Sequence, residues 1–209
     1  MPLSPTLQTL FGLADNELAP QHDLDLTAVD SMPSSNRGGE PYYRIGKCEM
    51  YGLSITHFER DQTWIGSLPH GRQESTPGEW KVVYRGHKAT EIGRNLREGI
   101  DYSDGNEGPG VYATDCPLTA LGYALFNAHG ANDITINGEH FVTVVKCRAN
   151  WNPSHVVKQA GIAGSVGHNE GKYFLLPNEK DIRIYSILLF RRETAIELIS
   201  PIRPYPYIK

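Results

Sequence analysis

The sequence has little cysteine: three residues in 209, namely Cys48, Cys116 and Cys147. They are too few and too far apart for a disulfide framework or a zinc knuckle, and a reducing, intracellular setting is the expectation. An excess of basic charge is also missing. Lys and Arg number 20 against 24 Asp and Glu, for a net charge of −4 and a pI of about 6.1. Nucleic-acid binding through a broad basic field is thereby excluded, because neutralising phosphates needs clustered cations. No apolar run of about 18 residues occurs, so no membrane span is expected. Met1 to Ala14 lacks a basic leader, and Pro, Ser, Thr and Gln break up its apolar residues, so no secretory signal is expected.

Several catalytic patterns are missing too. The glycine-rich stretch Gly161–Gly171 continues as Lys172-Tyr173 and carries Val166, so it lacks the phosphate-loop spacing. No G-x-G-x-x-G opens a helix after a strand, and G-x-S-x-G is absent. The eight histidines (22, 57, 70, 87, 129, 140, 155 and 168) contain no i, i+4 pair, so no metal site is expected.

What is abundant is glycine (21), proline (14) and tyrosine (11), which describes a loop-rich fold short of disorder. The length fits one domain with an accessory region. Residues 1–75 read as a polar, turn-rich N-terminal arm with one apolar stretch, Leu7 to Leu13, and short strands after Pro41. From Trp80 the signals sharpen. Trp80 to Tyr84 reads as a strand, Thr90 to Glu98 as a helix stopped by Gly99, and Val111 to Ala113 as a short strand. A second helix follows, capped by Asp115 or Cys116, with Pro117 near its first position and Leu118, Leu121, Ala124 and Leu125 on its apolar face. Asn137-Gly138 between Ile134–Ile136 and His140–Cys147 is a hairpin signal. His155 to Gln159 reads as a short helix, and Tyr173–Leu176 and Ile182–Phe190 as strands. The pattern is α+β and not a regular βαβ alternation.

Three segments stand out by order and spacing. Tyr84-Arg85-Gly86-His87 ends a strand and precedes a helix. Gly108-Pro109-Gly110-Val111-Tyr112 follows, with Tyr123-Ala124 eleven residues beyond Tyr112. Glu170-Gly171-Lys172-Tyr173-Phe174-Leu175-Leu176 then opens the final strands. Over residues 80–190 this resembles the PARP-like ADP-ribosyltransferases, whose Tyr-His-Gly-Thr strand, Gly-x-Gly-Val-Tyr strand with a helix ending in Tyr-Ala, and Glu-led strand build an NAD site. Arg85 stands where their histidine would be and is similar instead to the toxin-type class with its Arg-Ser-Glu set. The Ser-Thr-Ser motif of that class is replaced by Gly-Val-Tyr. Such a chimera is similar to microbial transferases that attach ADP-ribose to a threonine of ubiquitin, using an Asp and a Glu. The resemblance implies a split β-sandwich of two small sheets with flanking helices over residues 76–209. Residues 1–75 would be an accessory, substrate-targeting region. It also implies NAD as co-substrate, a protein acceptor such as ubiquitin, a monomer, and a protein that is cytoplasmic or delivered into a host cell as an effector.

The resemblance makes Arg85, Gly86, His87, Tyr112 and Tyr123 the NAD-binding residues and Glu170 and Asp115 the catalytic carboxylates. Physical chemistry gives each a role beside an ordinary alternative. The planar fork of Arg85 suits a phosphate or a ribose hydroxyl, or a surface ion pair. Tyr112 and Tyr123 offer flat faces for a nicotinamide ring, or core packing. His87 suits one ribose contact, or a helix cap. A carboxylate offsets the oxocarbenium charge made when the glycosidic bond breaks, while Asp115 equally suits a helix cap and Glu170 a solvated loop. Lys172 aligns with the PARP-like glutamate, two residues after Glu170. That position keeps an NAD glycohydrolase and a catalytically silent NAD-, ADP-ribose- or protein-binding module open beside the transferase.

Overall fold

The computed structural model describes residues 3–29, 31–58, 62–66, 74–105, 108–126, 133–159 and 172–200. Its first elements are α1 (Pro5–Phe11), β1 (Leu24–Asp25), β2 (Ser31–Arg37), β3 (Glu40–Ile45) and β4 (Glu49–Gly52). Then come β5 (Lys81–Gly86), α2 (Ile92–Glu98), β6 (Ser103–Gly105), β7 (Gly108–Thr114) and α3 (Pro117–Phe126). The last are β8 (Ile134–Ile136), β9 (Glu139–Ala149), β10 (Val156–Gln159), β11 (Lys172–Leu176), β12 (Ile182–Arg191) and α4 (Arg192–Ile199). The fold is α+β, and every strand pair among the described residues is antiparallel.

β9 organises the sheet. Its residues from Phe141 to Ala149 are all buried, because both faces of the strand are covered. Val145 and Cys147 face one apolar cluster with Leu7 and Phe11 of α1, Ile92 and Leu96 of α2, Val83 and Phe174. Val142 and Val144 face a second with Ala120, Leu121 and Ala124 of α3, Ala195 and Ile199 of α4, and Tyr42 and Ile45 of β3. A strand buried on both sides loses the apolar–polar alternation and reads as a continuous run. The strands follow the order β1-β4-β12-β9-β5-β7-β11-β10, with β6 on β7 and β8 on β9. β2 and β3 form a separate hairpin. Where two small sheets were expected, ten strands thus belong to one sheet, eight of them along a single ladder path. Its continuity between β5 and β7, however, rests on a single residue pair, Tyr84↔Thr114.

Residues 3–29 and 31–58 are more ordered than their polar composition implies. Ser4 accepts the Leu7 N–H at 3.3 Å and Pro5 takes the first helical position of α1, the two standard devices for starting a helix. The helix then buries Leu7 and Phe11, each contributing ~1.5–3 kcal/mol on burial. β4 lies in the main sheet between β1 and β12. The segment read as a short helix at 155–159 is instead a 3-10 turn, Pro153–His155, followed by β10, whose register on β11 supplies the backbone partners a helix would have found internally. No helix among the described residues is long and apolar enough to cross a membrane.

Candidate functional site

The seam between β5 and β7 is where the motif residues gather. On either side of the Tyr84↔Thr114 pair, β5 reaches across with side chains in place of ladder bonds. Arg85 Nη1 donates to the Tyr112 carbonyl at 2.9 Å. Lys81 Nζ donates to Asp115 Oδ2 at 3.0 Å. Lys81 and Arg85 are four residues apart on an alternating strand and so leave it on the same side. Burial lowers the pKa of the half-buried Arg85 from the ordinary arginine value.

The opposite side of the seam carries the aromatics. Thr114 pairs with Tyr173 and Tyr112 with Leu175, so Tyr112, Thr114 and Tyr173 share one face, while Val111, Ala113 and Phe174 turn into the core. α3 lies on that aromatic face. Its Tyr123 is 56% exposed, accepts a hydrogen bond from the Tyr173 hydroxyl at 2.9 Å, and meets the Tyr173 ring edge-on with centroids 5.8 Å apart. Gly86 makes this approach possible. A Cβ there would lie 2.6 Å from both the Ala120 carbonyl oxygen and the Ala124 nitrogen of α3, contacts no side chain tolerates. Gly86 therefore acts through its missing side chain, seating the helix that carries Tyr123. Tyr112 is half-buried, and its hydroxyl donates to the Gly108 carbonyl at 2.5 Å.

His87 goes elsewhere. It is 4% exposed, and its Nε2 shares a buried hydrogen bond of 2.9 Å with the Asn95 side-chain amide of α2. Burial, helped by the nearby Arg85 charge, pulls its pKa down to about 3. Thr143 Oγ1 donates to its carbonyl at 2.6 Å. The ring is part of the α2 packing and is turned from solvent.

The carboxylates divide unexpectedly. Asp115 does not cap α3, which starts at Pro117; the Cys116 carbonyl accepts the Ala120 N–H at 3.2 Å as the capping residue. Asp115 instead accepts the Lys172 N–H on Oδ1 at 2.7 Å, donates its own N–H to the Lys172 carbonyl at 3.3 Å, and pairs through Oδ2 with Lys81. It fastens β11 and β5 to the end of β7. Glu170 and the Gly161–Gly171 loop lie outside the described residues. Lys172 Nζ is 3.5 Å from Glu40 Oε2, and the same oxygen is 3.4 Å from Lys81 Nζ. The Lys81 ammonium also lies over the rings of Trp151 (5.1 Å) and Phe174 (4.9 Å). Glu40 is the residue that sequence reasoning missed. Gly38-Gly39, with φ of 61 and 75, is a two-residue hairpin turn signal that points to strands on either side and to Glu40 at the foot of the second. Among the described residues no group of three His, Cys, Asp or Glu is placed to hold a metal ion.

The site thus has an arginine bridging a sheet seam, three tyrosines on the opposite side of the sheet, and two carboxylates interleaved with two lysines at its end. No protein-family model matches the sequence, and no curated protein matches it.

Proposed function

We propose that the chain is an NAD-dependent mono-ADP-ribosyltransferase, binding NAD across the β5–β7 seam, transferring ADP-ribose to a protein side chain and releasing nicotinamide. One observation carries this reading. Tyr112 and Tyr123, picked out by their spacing, belong to the same face as each other, and Arg85 bridges the adjoining seam from the opposite side of the sheet. In this reading the Arg85 guanidinium turns from the Tyr112 carbonyl to a phosphate or ribose hydroxyl of NAD, for which its planar fork is suited. The tyrosines flank the nicotinamide ring, and Gly86 seats α3 against the sheet. The acceptor is a protein, and ubiquitin is the first to try.

A second reading, a catalytically silent binding module, is favoured by one specific feature. Lys172 occupies the position of the PARP-like glutamate, with its ammonium against Glu40. Incubation with radiolabelled NAD, with ubiquitin or a cell lysate as acceptor, separates the readings. Labelled protein supports the transferase, free ADP-ribose alone supports a glycohydrolase, and neither supports the silent module. Arg85→Ala is expected to weaken NAD binding by ~1.5–3 kcal/mol, the range for a hydrogen bond to a charged group. Arg85→Lys, lacking the fork, should not restore it. Unchanged affinity in calorimetric titration removes Arg85 from the site.

A further inference from the structure

Lys172 stands where a glutamate is expected, and both oxygens of Asp115 are engaged, one by the Lys172 amide and one by Lys81. Glu170 lies outside the described residues, and among those described a further carboxylate reaches the head of β11 from another part of the chain. We propose that this carboxylate, Glu40 at the turn of the β2–β3 hairpin, balances the ribosyl cation; the assignment rests on the NAD-transferase reading above. Its position is the first argument. Glu40 Oε2 lies 3.5 Å from Lys172 Nζ, so the hairpin delivers a carboxylate to the place where β11 itself begins with an ammonium. Availability is the second. Glu40 uses one oxygen for both lysines, its Oε1 makes no hydrogen bond among the described residues, and the side chain is 24% exposed.

Fixation is the third argument. A Cβ at Gly38 would lie 2.3 Å from the Lys81 nitrogen and 2.5 Å from the Trp80 carbonyl carbon. The turn is therefore pressed onto the start of β5, where only glycine fits, and Glu40 follows two residues later. Such preorganisation is what electrostatic catalysis requires.

The step assigned to Glu40 balances as follows. The bond between ribose C1′ and the nicotinamide ring nitrogen breaks, its electron pair stays on nitrogen, and nicotinamide leaves neutral. The positive charge left on C1′ and the ring oxygen faces the Glu40 carboxylate, as in glycoside hydrolysis. An acceptor hydroxyl oxygen then bonds to C1′, and its proton passes to Glu40 and on to water.

The test measures nicotinamide release and NAD affinity for the full chain with ubiquitin and NAD. Glu40→Gln is expected to lower turnover ~10²–10³-fold with NAD affinity unchanged, since the interaction strengthens only in the transition state. Adding Lys172→Glu to that variant returns a carboxylate to the head of β11 and should restore turnover, which a merely structural role for Glu40 would not allow. A Glu40→Gln variant with wild-type turnover overturns the assignment and leaves the NAD reading standing. So does a double variant that stays inactive. A wild-type chain that neither binds NAD nor releases nicotinamide overturns both. If Gln at position 40 unfolds the chain by circular dichroism, Glu40→Asp is read instead: reduced turnover at unchanged NAD affinity supports the assignment, and full turnover overturns it.

Discussion

Asp115→Asn isolates the charge at the end of the β5–β7 seam. The amide oxygen of Asn can still accept the Lys172 N–H that Oδ1 takes at 2.7 Å, so the strand-to-strand tie survives. What goes is the negative charge 3.0 Å from the Lys81 ammonium, on a lysine only 2% exposed. A hydrogen bond to a charged group contributes ~1.5–3 kcal/mol, and stranding a buried charge costs about 3–5 kcal/mol. Glu40, still 3.4 Å from Lys81, keeps the loss near the lower range, at about 2–3 kcal/mol. For a chain of this size that is roughly a 4–12 °C fall in Tm, read by differential scanning calorimetry at pH 7. Lys81→Met removes the stranded ammonium, so the double variant should be more stable than Asp115→Asn alone, and the cycle of single and double variants gives the coupling. A helix cap predicts otherwise, because Asn caps as well as Asp. A wild-type Tm for Asp115→Asn, or a double variant no more stable than the single, refutes the buried tie.

Gly86→Ala should destabilise by ~1–3 kcal/mol through overpacking, because its Cβ meets backbone atoms of α3 that a side-chain rotation cannot clear; unchanged thermal unfolding would contradict the seat. His87 sets a pH dependence. Its folded pKa of about 3 lies below the ordinary histidine value, so the unfolded chain binds the extra proton first. Its contribution is complete above pH ~6.5 and is lost as the pH falls towards 3, with a slope of at most ~1.4 kcal/mol per pH unit. Urea unfolding of the wild type and of His87→Gln should therefore show a stability gap that is constant at neutral pH and narrows below pH ~6.5; a pH-independent gap refutes it.

Local signals were legible where local chemistry decides the backbone. Asn137 and Gly138 both take positive φ, 51 and 83, as a two-residue hairpin turn demands, and β8 and β9 flank them as read. The strand starting near Trp80, the Val111–Ala113 strand within β7 and the helix after Pro117 also follow from composition and capping. Elements held by distant partners were not legible. Ser31 to Arg37 has few strand formers and becomes β2 through its register on β3. Val156 to Gln159 becomes β10 only because β11 pairs with it. The site divides the same way. The tyrosine spacing in β7 and α3 is a local pattern, whereas Asp115 meets Lys81 and Lys172 across 34 and 57 residues, and Glu40 meets Lys172 across 132. Pairings of that separation leave no trace in a window of sequence.

The Arg85–Tyr112 tie has a consequence for any ligand that seeks that guanidinium. A ladder bond between strands breaks only when the strands part, but a side-chain bond can be traded by rotating the side chain. Binding at Arg85 is therefore an exchange reaction: the ligand's oxygen replaces the Tyr112 carbonyl, and the measured affinity is the difference between the two bonds. Water must then satisfy the released carbonyl, or the ligand must supply a donor of its own. Ligands presenting an acceptor and a donor a few ångströms apart, as a sugar hydroxyl next to a phosphate does, answer both halves of the exchange, and a bare anion answers only one.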